Sequence, residues 1–282
     1  MKKFVLKVLT CISLMLLSVN LISASPLDAL SNRKNHTLIV RDNTSTTGLP
    51  DRFRHIPSLD ISGSSEFTAE QATNLKKSIN KPNICIVDLR QESHGLVNNY
   101  AISFYDPNKD LNNGFTTNQT LKTEDALLSK IKLNNSLNIH KKSGILFKEI
   151  TVDFISNESC VVTQAGMQYK RYAVKDNGAP TAEIVDEFID FVKTKPSDLH
   201  LHFHCDAGEG RTTTFMSMYQ ILMNTTNLSL DQIVSYQYNA GGVNLHDNKR
   251  QFEFLEDFYD YVSKNKSDNY ATSYSTWINQ NK

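Results

Sequence analysis

Residues 199–215 read LHLHFHCDAGEGRTTTF, and no other stretch restricts the fold as tightly. Leu199, Leu201 and Phe203 alternate with His200, His202 and His204, which is the period-two pattern of a strand. Gly208 and Gly210 then break the run, and a helix is expected from Arg211 to about Met223. Strand, glycine-rich turn and helix in that order converge backbone N–H groups on one point. They also aim the positive end of a helix dipole at it. The glycines let the main chain take unusual dihedrals and approach a ligand closely. The stretch reads as a nest for an oxyanion.

Cys205 stands at the strand end, facing that nest. A field that holds an anion also favours a thiolate, the attacking species in nucleophilic catalysis. Arg211 offers a planar fork that can bind two oxygens of one phosphoryl group. Thr212 can donate a hydroxyl hydrogen bond to the sulfur and help it leave later. His204 is read as orienting the loop by hydrogen bonding. Asp206, Ala207, Gly208, Glu209 and Gly210 would supply the amides that hold phosphate. Cysteine, five residues, arginine and threonine, with histidine in front, is the signature of cysteine-dependent phosphatases.

Such chemistry needs a general acid on a segment that can close over the site. Asp176-Asn-Gly-Ala-Pro180 is a loop directly before a helix, so Asp176 is the candidate. Asp-Asn-Gly is also favoured in turns, and spacing alone leaves both readings open. Strand alternation puts His200, His202 and His204 on one face, which suits zinc. No acidic or sulfur partner is signalled, so no metal is assigned.

Strands alternate with helices through the second half. The capping box Thr68-Ala-Glu-Gln71 opens a helix through Ile79, and Ser229-Leu-Asp-Gln232 opens another. Ile184, Val185, Phe188, Ile189 and Val192 mark an amphipathic helix after Pro180. Phe252–Val262 marks a further one, whose aromatics read as core. Strands are expected at Thr37–Val40, Ile84–Leu89, Ile145–Val152 and Cys160–Gln164, and a helix around Glu124–Leu133. The fold class is α/β, with a largely parallel central sheet flanked by helices. A β-rich lobe is expected roughly within 95–170. The domain would span 51–282, after a flexible lead-in at 25–50.

The 30 basic residues balance 30 acidic ones, which argues against a nucleic-acid partner. Anion recognition must then be local. Lys2, Lys3 and Lys7 precede an apolar run at 8–22 and the small residues Ser23, Ala24 and Ser25. This reads as a signal peptide, 1–24, cut near Ala24. The run is short for a spanning helix, which favours cleavage over an uncleaved anchor. The mature chain is expected to be secreted or periplasmic, without stable membrane insertion. Cys11 would leave with the signal. Cys85 in ICIV and Cys160 in CVV read as buried apolar thiols, and a Cys85–Cys160 disulfide is left open.

HCDAGEGRTTT resembles the active-site loop of the bacterial protein-tyrosine-phosphatase-like phytases. Val87-Asp-Leu-Arg-Gln-Glu-Ser-His-Gly95 is similar to a second segment of that family, which ordinary tyrosine phosphatases lack. Arg52-Phe-Arg54 resembles its basic start, and Asp176 and Pro180 match its general-acid loop. The resemblance covers roughly 50–280. It implies a tyrosine-phosphatase-like core with a small partial β-barrel lobe, a wide electropositive pocket and no cofactor. It implies inositol polyphosphates, above all phytate, as substrate. It also favours Asp176 as the acid and Arg54 as a substrate contact. Lys249 and Arg250 are candidate contacts, in the departing stretch His246-Asp-Asn-Lys-Arg250.

Asp88 reads as an internal ion-pair partner at a strand end. Arg90 reads either that way or as a substrate contact, and His94 either as a supporting group or as a surface residue. Asp206 and Glu209 put two acids in the anion loop, which would weaken binding of a highly charged substrate unless they face outward. Two rival functions remain. One is a protein tyrosine or dual-specificity phosphatase, acting on host phosphoproteins or phosphoinositides. The other is a phosphate-binding module without catalysis.

Overall fold

The computed structural model describes residues 37–106 and 111–281. The expected signal peptide and the lead-in through residue 36 lie outside the described residues. In chain order the strands and α-helices are β1 (Leu38–Arg41), β2 (Arg54–Ile56), β3 (Ile61–Ser64), α1 (Ala69–Ile79), β4 (Asn83–Arg90), β5 (His94–Val97) and β6 (Tyr100–Tyr105). There follow α2 (Thr117–Leu128), β7 (Ser136–His140), β8 (Leu146–Thr151), β9 (Ile155–Ser156), α3 (Glu158–Gln164) and β10 (Gln168–Val174). The chain closes with α4 (Ala182–Thr194), β11 (Leu199–His204), α5 (Gly210–Met223), α6 (Leu230–Asn239), α7 (Lys249–Asn265) and α8 (Tyr274–Asn281).

The central sheet has the order β10-β4-β11-β3-β2. Its first four strands are parallel, and β2 closes one edge antiparallel to β3. Parallel strands are covered on both faces, so β4 is buried from Ile84 to Arg90. Its side chains divide with period two. Cys85, Val87 and Leu89 join the core beneath α4, α5, α7 and α8, while Ile84 and Ile86 join a second core against α1 and α3. α4 buries Ile184, Val185, Phe188, Ile189 and Val192, the positions its spacing predicts. α5 is buried from Arg211 to Leu222, which makes it the central helix.

The second sheet has the order β8-β7-β1-β6-β5-β9. It is antiparallel except where β1 meets β7, and β8 and β9 form its two edges. The lobe it builds starts earlier than the expected 95–170, because β1 sits in its middle. It also ends earlier, because β10 belongs to the central sheet.

Three local expectations are corrected. Cys160–Gln164, expected as a strand, lies in α3, where Asn157 caps the helix by accepting from Cys160 N at 2.9 Å. The cap outweighs the β-branched pair Val161–Val162, which still packs in the core. Cys160 is therefore exposed rather than buried, and it and Cys85 are free thiols. The helix expected at 124–133 runs from Thr117 to Leu128, opened by a capping box of Thr116 and Gln119. Residues 37–50 are tied down rather than flexible. β1 pairs with β6, Asn43 is buried, and Thr68 Oγ1 donates to Thr46 O at 3.0 Å.

Candidate active site

The register of the parallel strands assembles the site. His204 lies opposite Ser64 of β3 on one side and Asp88 of β4 on the other. The ends of three strands thus deliver Cys205, the 64–66 turn and the 88–92 segment to one place. The 205–211 loop wraps closely over its neighbours. Gly208 has φ +70°, and a Cβ there would lie 2.5 Å from Ser64 C and Ser65 N, so only glycine fits. Glu66 N donates to Asp206 O at 3.0 Å. Arg54 is buried, and its Nη1 donates to Gly208 O at 3.0 Å while Nη2 donates to Thr213 Oγ1 at 3.3 Å. α5 starts at Gly210 and aims its N-terminus at the loop interior.

Cys205 is 3 % exposed, and its sulfur accepts from Thr212 Oγ1 at 3.2 Å. Arg211 lies beneath the cleft. Its Nη1 and Nη2 donate to Glu92 Oε2 and Oε1 at 2.7 and 2.8 Å, and Nη1 also donates to Val174 O at 3.0 Å. Burial opposes its charge, but Glu92 overrides burial and raises its pKa. Burial likewise works against the Glu92 carboxylate, yet Arg211 and Arg90 hold it well below the usual carboxylate range. This bidentate pair fixes the plane of the guanidinium.

Asp176 Oδ1 lies 3.4 Å from Arg211 Nη2. Its loop is a turn, with Gly178 N donating to Lys175 O, and the turn holds Asp176 toward the Arg211 fork. Asp176, Asn177, Cys205, Gly210, Arg211 and Gln251 line one cleft of about 50 Å³. Gln251 is fully buried in the first turn of α7. Its Nε2 donates to Gly178 O at 3.2 Å, and its Oε1 accepts no hydrogen bond from the described residues. It therefore links the acid loop to the cysteine loop. Beside the cleft lies a hollow of about 140 Å³ between the sheets. Arg90, Lys142 and Lys175 face Glu92, Asp106, Asp176 and Asp206 around it, a mixture of charges rather than the expected electropositive pocket.

Under the loop lies a buried ionic network. His204 Nε2 meets Glu158 Oε1 at 2.9 Å, and His94 Nε2 meets Glu158 Oε2 at 3.0 Å. Arg171 pairs with Glu124 at 2.9 Å and with Asp88 at 3.2 Å, and Tyr169 OH donates to Asp88 at 2.6 Å. Burial alone would lower the His204 pKa, but Glu158 and Glu66 raise it to about 9. Burial would raise Glu158, yet the His204 charge brings it down to about 2. Glu66 is pushed up to about 7 by burial and by Glu158. His204 is thus paired with Glu158, and its Nδ1 bonds no described residue, so the expected hydrogen bond from its ring to the loop is not formed.

Two groups have metal-like spacing, Glu66–His94–Glu158 and Asp88–Glu158–His204. Arg90, Arg171 and the two protonated imidazoles already satisfy those carboxylates, so the cluster is read as a salt network. The three-histidine face does not converge. His200 and His202 both bond to Ser62, at 2.7 and 2.8 Å, while His204 turns to Glu158.

Several expected substrate contacts are placed otherwise. Arg90 is fully buried, with its donors spent on Asp42, Glu66, Glu92 and Ser103, so it braces the site instead of meeting substrate. Arg54 gives Nη1 to Gly208 O of the loop and Nη2 to Thr213 Oγ1 of α5. Lys249 and Arg250 are exposed in the first turn of α7, and Lys249 lies 3.5 Å from Glu253. Their neighbour Gln251 reaches the cleft. Asp206 pairs with Lys142, and Glu209 with Arg52 at 2.8 Å, so both acids of the loop are neutralised from outside. Asp88 is an internal ion-pair partner as expected, and His94 is buried rather than on the surface. The residues missed are Glu92, Gln251, Glu158 and Arg171. Glu92 lies inside the DLRQESHG stretch and Gln251 directly follows Arg250, whereas nothing local marked Glu158 or Arg171.

A twisted parallel sheet ending in a cysteine loop, an arginine fork and a facing aspartate defines a tyrosine-phosphatase-like protein with a cysteine nucleophile. The family model PTPlike_phytase, described as "Inositol hexakisphosphate", matches residues 87–223. The tandemly repeated phytase of this type from Mitsuokella multacida superposes with a TM-score of 0.79 at 30% identity, covering 87% of this chain and 49% of that one. Another structure from that organism, in complex with myo-inositol-(1,3,4,5)-tetrakisphosphate, gives 0.78 at 29% identity, with 87% and 50% covered. A PTP-like phytase from Bdellovibrio bacteriovorus gives 0.74 at 27% identity, with 86% and 95% covered. "Effector protein hopD2" of Pseudomonas syringae pv. tomato is 30% identical over 220 residues, 71% of this chain and 47% of that protein. The chain spans about half the length of hopD2 and of the Mitsuokella proteins. Its residues 87–223 form a domain of the protein-tyrosine-phosphatase-like phytase family.

Proposed function

We propose that the chain is an exported cysteine-dependent phosphatase that hydrolyses phosphomonoesters of inositol phosphates, phytate among them. The observation behind this reading is the arrangement around Cys205. Its sulfur accepts from Thr212, and Arg211, locked by Glu92, stands beside it. The family model and the inositol-phosphate complex of the Mitsuokella relative support the substrate class.

In the first step the Cys205 thiolate attacks phosphorus. Loop amides and the Arg211 fork hold the equatorial oxygens, so charge develops where donors already point. The ester P–O bond breaks, and Asp176 gives its proton to the leaving alkoxide. In the second step water attacks the phosphocysteine. Gln251 Oε1 is placed to accept a hydrogen bond from that water, and Asp176 takes its proton. The S–P bond breaks, and the thiolate returns to the Thr212 hydroxyl. Phosphate release from phytate and from a phosphotyrosine peptide, measured side by side with Cys205→Ser as control, tests the reading. Preferred release from phytate, lost in the variant, is expected. Preference for the peptide would overturn the substrate class.

A second reading is a phosphatase of host phosphoproteins. The similarity to hopD2, an effector protein, favours it.

A further inference from the structure

The β7–β8 hairpin reads His140-Lys-Lys-Ser-Gly-Ile-Leu-Phe-Lys148. Its turn is closed by Lys141 N donating to Ile145 O and Gly144 N donating to Lys141 O, both at 2.8 Å. Phe147 folds inward, with the Arg41 guanidinium 3.9 Å over its ring and Tyr100 edge-on at 5.9 Å. Ile145 and Leu146 instead stand in solvent, 64% and 52% exposed. Scattered exposed aliphatics are ordinary. Among the large exposed apolar residues described, however, these two alone are neighbours in sequence. Residues 141–148 also hold three lysines and no acid, in a chain of zero net charge.

Two protruding aliphatics flanked in sequence by Lys141, Lys142 and Lys148 match an anionic lipid surface, where apolar tips enter the acyl boundary and cations meet headgroups. A second copy of the chain fits worse, because the charged pair Lys148 and Glu149 on the edge strand opposes strand pairing. The hairpin is also coupled to the chemistry. Lys142 Nζ pairs with the carboxylate of Asp206, the residue after Cys205. The hollow between the sheets runs from Lys142 past Phe104 and Leu111 to Asp176. A headgroup held at the hairpin would thus present its phosphate beside the cysteine loop.

We propose that this hairpin docks the enzyme on anionic membranes, so that its substrates include inositol phosphates still attached to lipid. This rests on the function proposed above. The docking is peripheral, and no described helix is long and apolar enough to cross a membrane.

The test compares phosphate release from phosphatidylinositol bisphosphate in phosphatidylcholine vesicles with release from soluble inositol phosphate. The double variant Ile145→Ser, Leu146→Ser should lose at least ~10-fold on vesicles and change less than ~2-fold on the soluble ester. Leu146→Trp should show a fluorescence blue shift with anionic vesicles and none with pure phosphatidylcholine. Equal rates of variant and parent on vesicles, equal losses on both substrates, or an absent blue shift would each overturn the docking proposal. Self-association through the hairpin, seen by sedimentation without vesicles, would overturn it as well. Absence of release from soluble ester by the parent protein would instead remove the proposed function, while the blue shift would still report docking.

Discussion

The two sheets solve different problems. In the central sheet the strands β4 and β11 are buried, β11 and β3 bury His200, His202 and Ser62 along their length, and the candidate reacting groups gather at the carboxyl ends. There Cys205, Asp88 and Arg90 are held by neighbours on several elements. The six-stranded sheet is open and largely antiparallel, and its edge strand β8 is mostly exposed. It supplies Asp42 and Ser103 to brace Arg90 from one side and leaves its hairpin in solvent. The contrast teaches that the candidate reacting groups are set by the ends of the buried sheet, while the open one braces them from one side.

The comparison can be tested from its strongest point downward. Cys205→Ser should cut phosphate release on the order of 10⁴-fold or more while phosphate binding persists, read by single-turnover kinetics and phosphate titration. Activity near that of the parent would move the chemistry away from the strand ends. Asp176→Asn should lose ~10³-fold on inositol phosphates and much less on an aryl phosphate, whose leaving group needs no proton. An equal loss on both substrates would demote Asp176 to a loop-shaping residue.

Next comes the network beneath the loop. His204 is raised to about 9, so its contribution is complete below its ordinary 6.5 and gone as pH rises through 9. Glu158 is lowered to about 2, so its contribution is complete above 4.5 and gone as pH falls through 2. Glu158→Gln should therefore cost about 3 kcal/mol between pH 4.5 and 6.5, with the difference from the parent shrinking on both sides. Thermal unfolding across pH reads this, and a pH-independent difference would contradict the charged pair.

Glu92→Gln should lower turnover by ~10²-fold, because the Arg211 fork loses its bidentate anchor and misplaces the phosphate. Lys142→Ala removes the half-exposed link between the sheets and should cost no more than about 1 kcal/mol of stability. Should it reduce turnover of a soluble ester as much as Glu92→Gln does, the division of labour between the sheets would be wrong.

Where a feature is local, residues alone revealed it. The capping boxes at Thr68 and Ser229, the apolar spacing of α4, and the strand-loop-helix passage through Cys205 all depend on neighbours a few positions apart. So does the meaning of Gly208, since a nest is built from consecutive amides. Cys160–Gln164 shows the limit, because β-branched residues suit a strand or a packed helix, and the Asn157 cap decided between them. Tertiary structure alone decided which charges meet. Arg90 looked like a substrate contact until burial set Asp42, Glu66 and Glu92 around it. Lys249 and Arg250 looked closer to the site than Gln251, but the direction of the first turn of α7 sends only the glutamine into the cleft. Glu158, 46 residues before His204, had no partner to announce it. Local hydrogen bonds and periodicity are written along the chain, whereas the pairing of buried charges depends on which distant segments share a low-dielectric space.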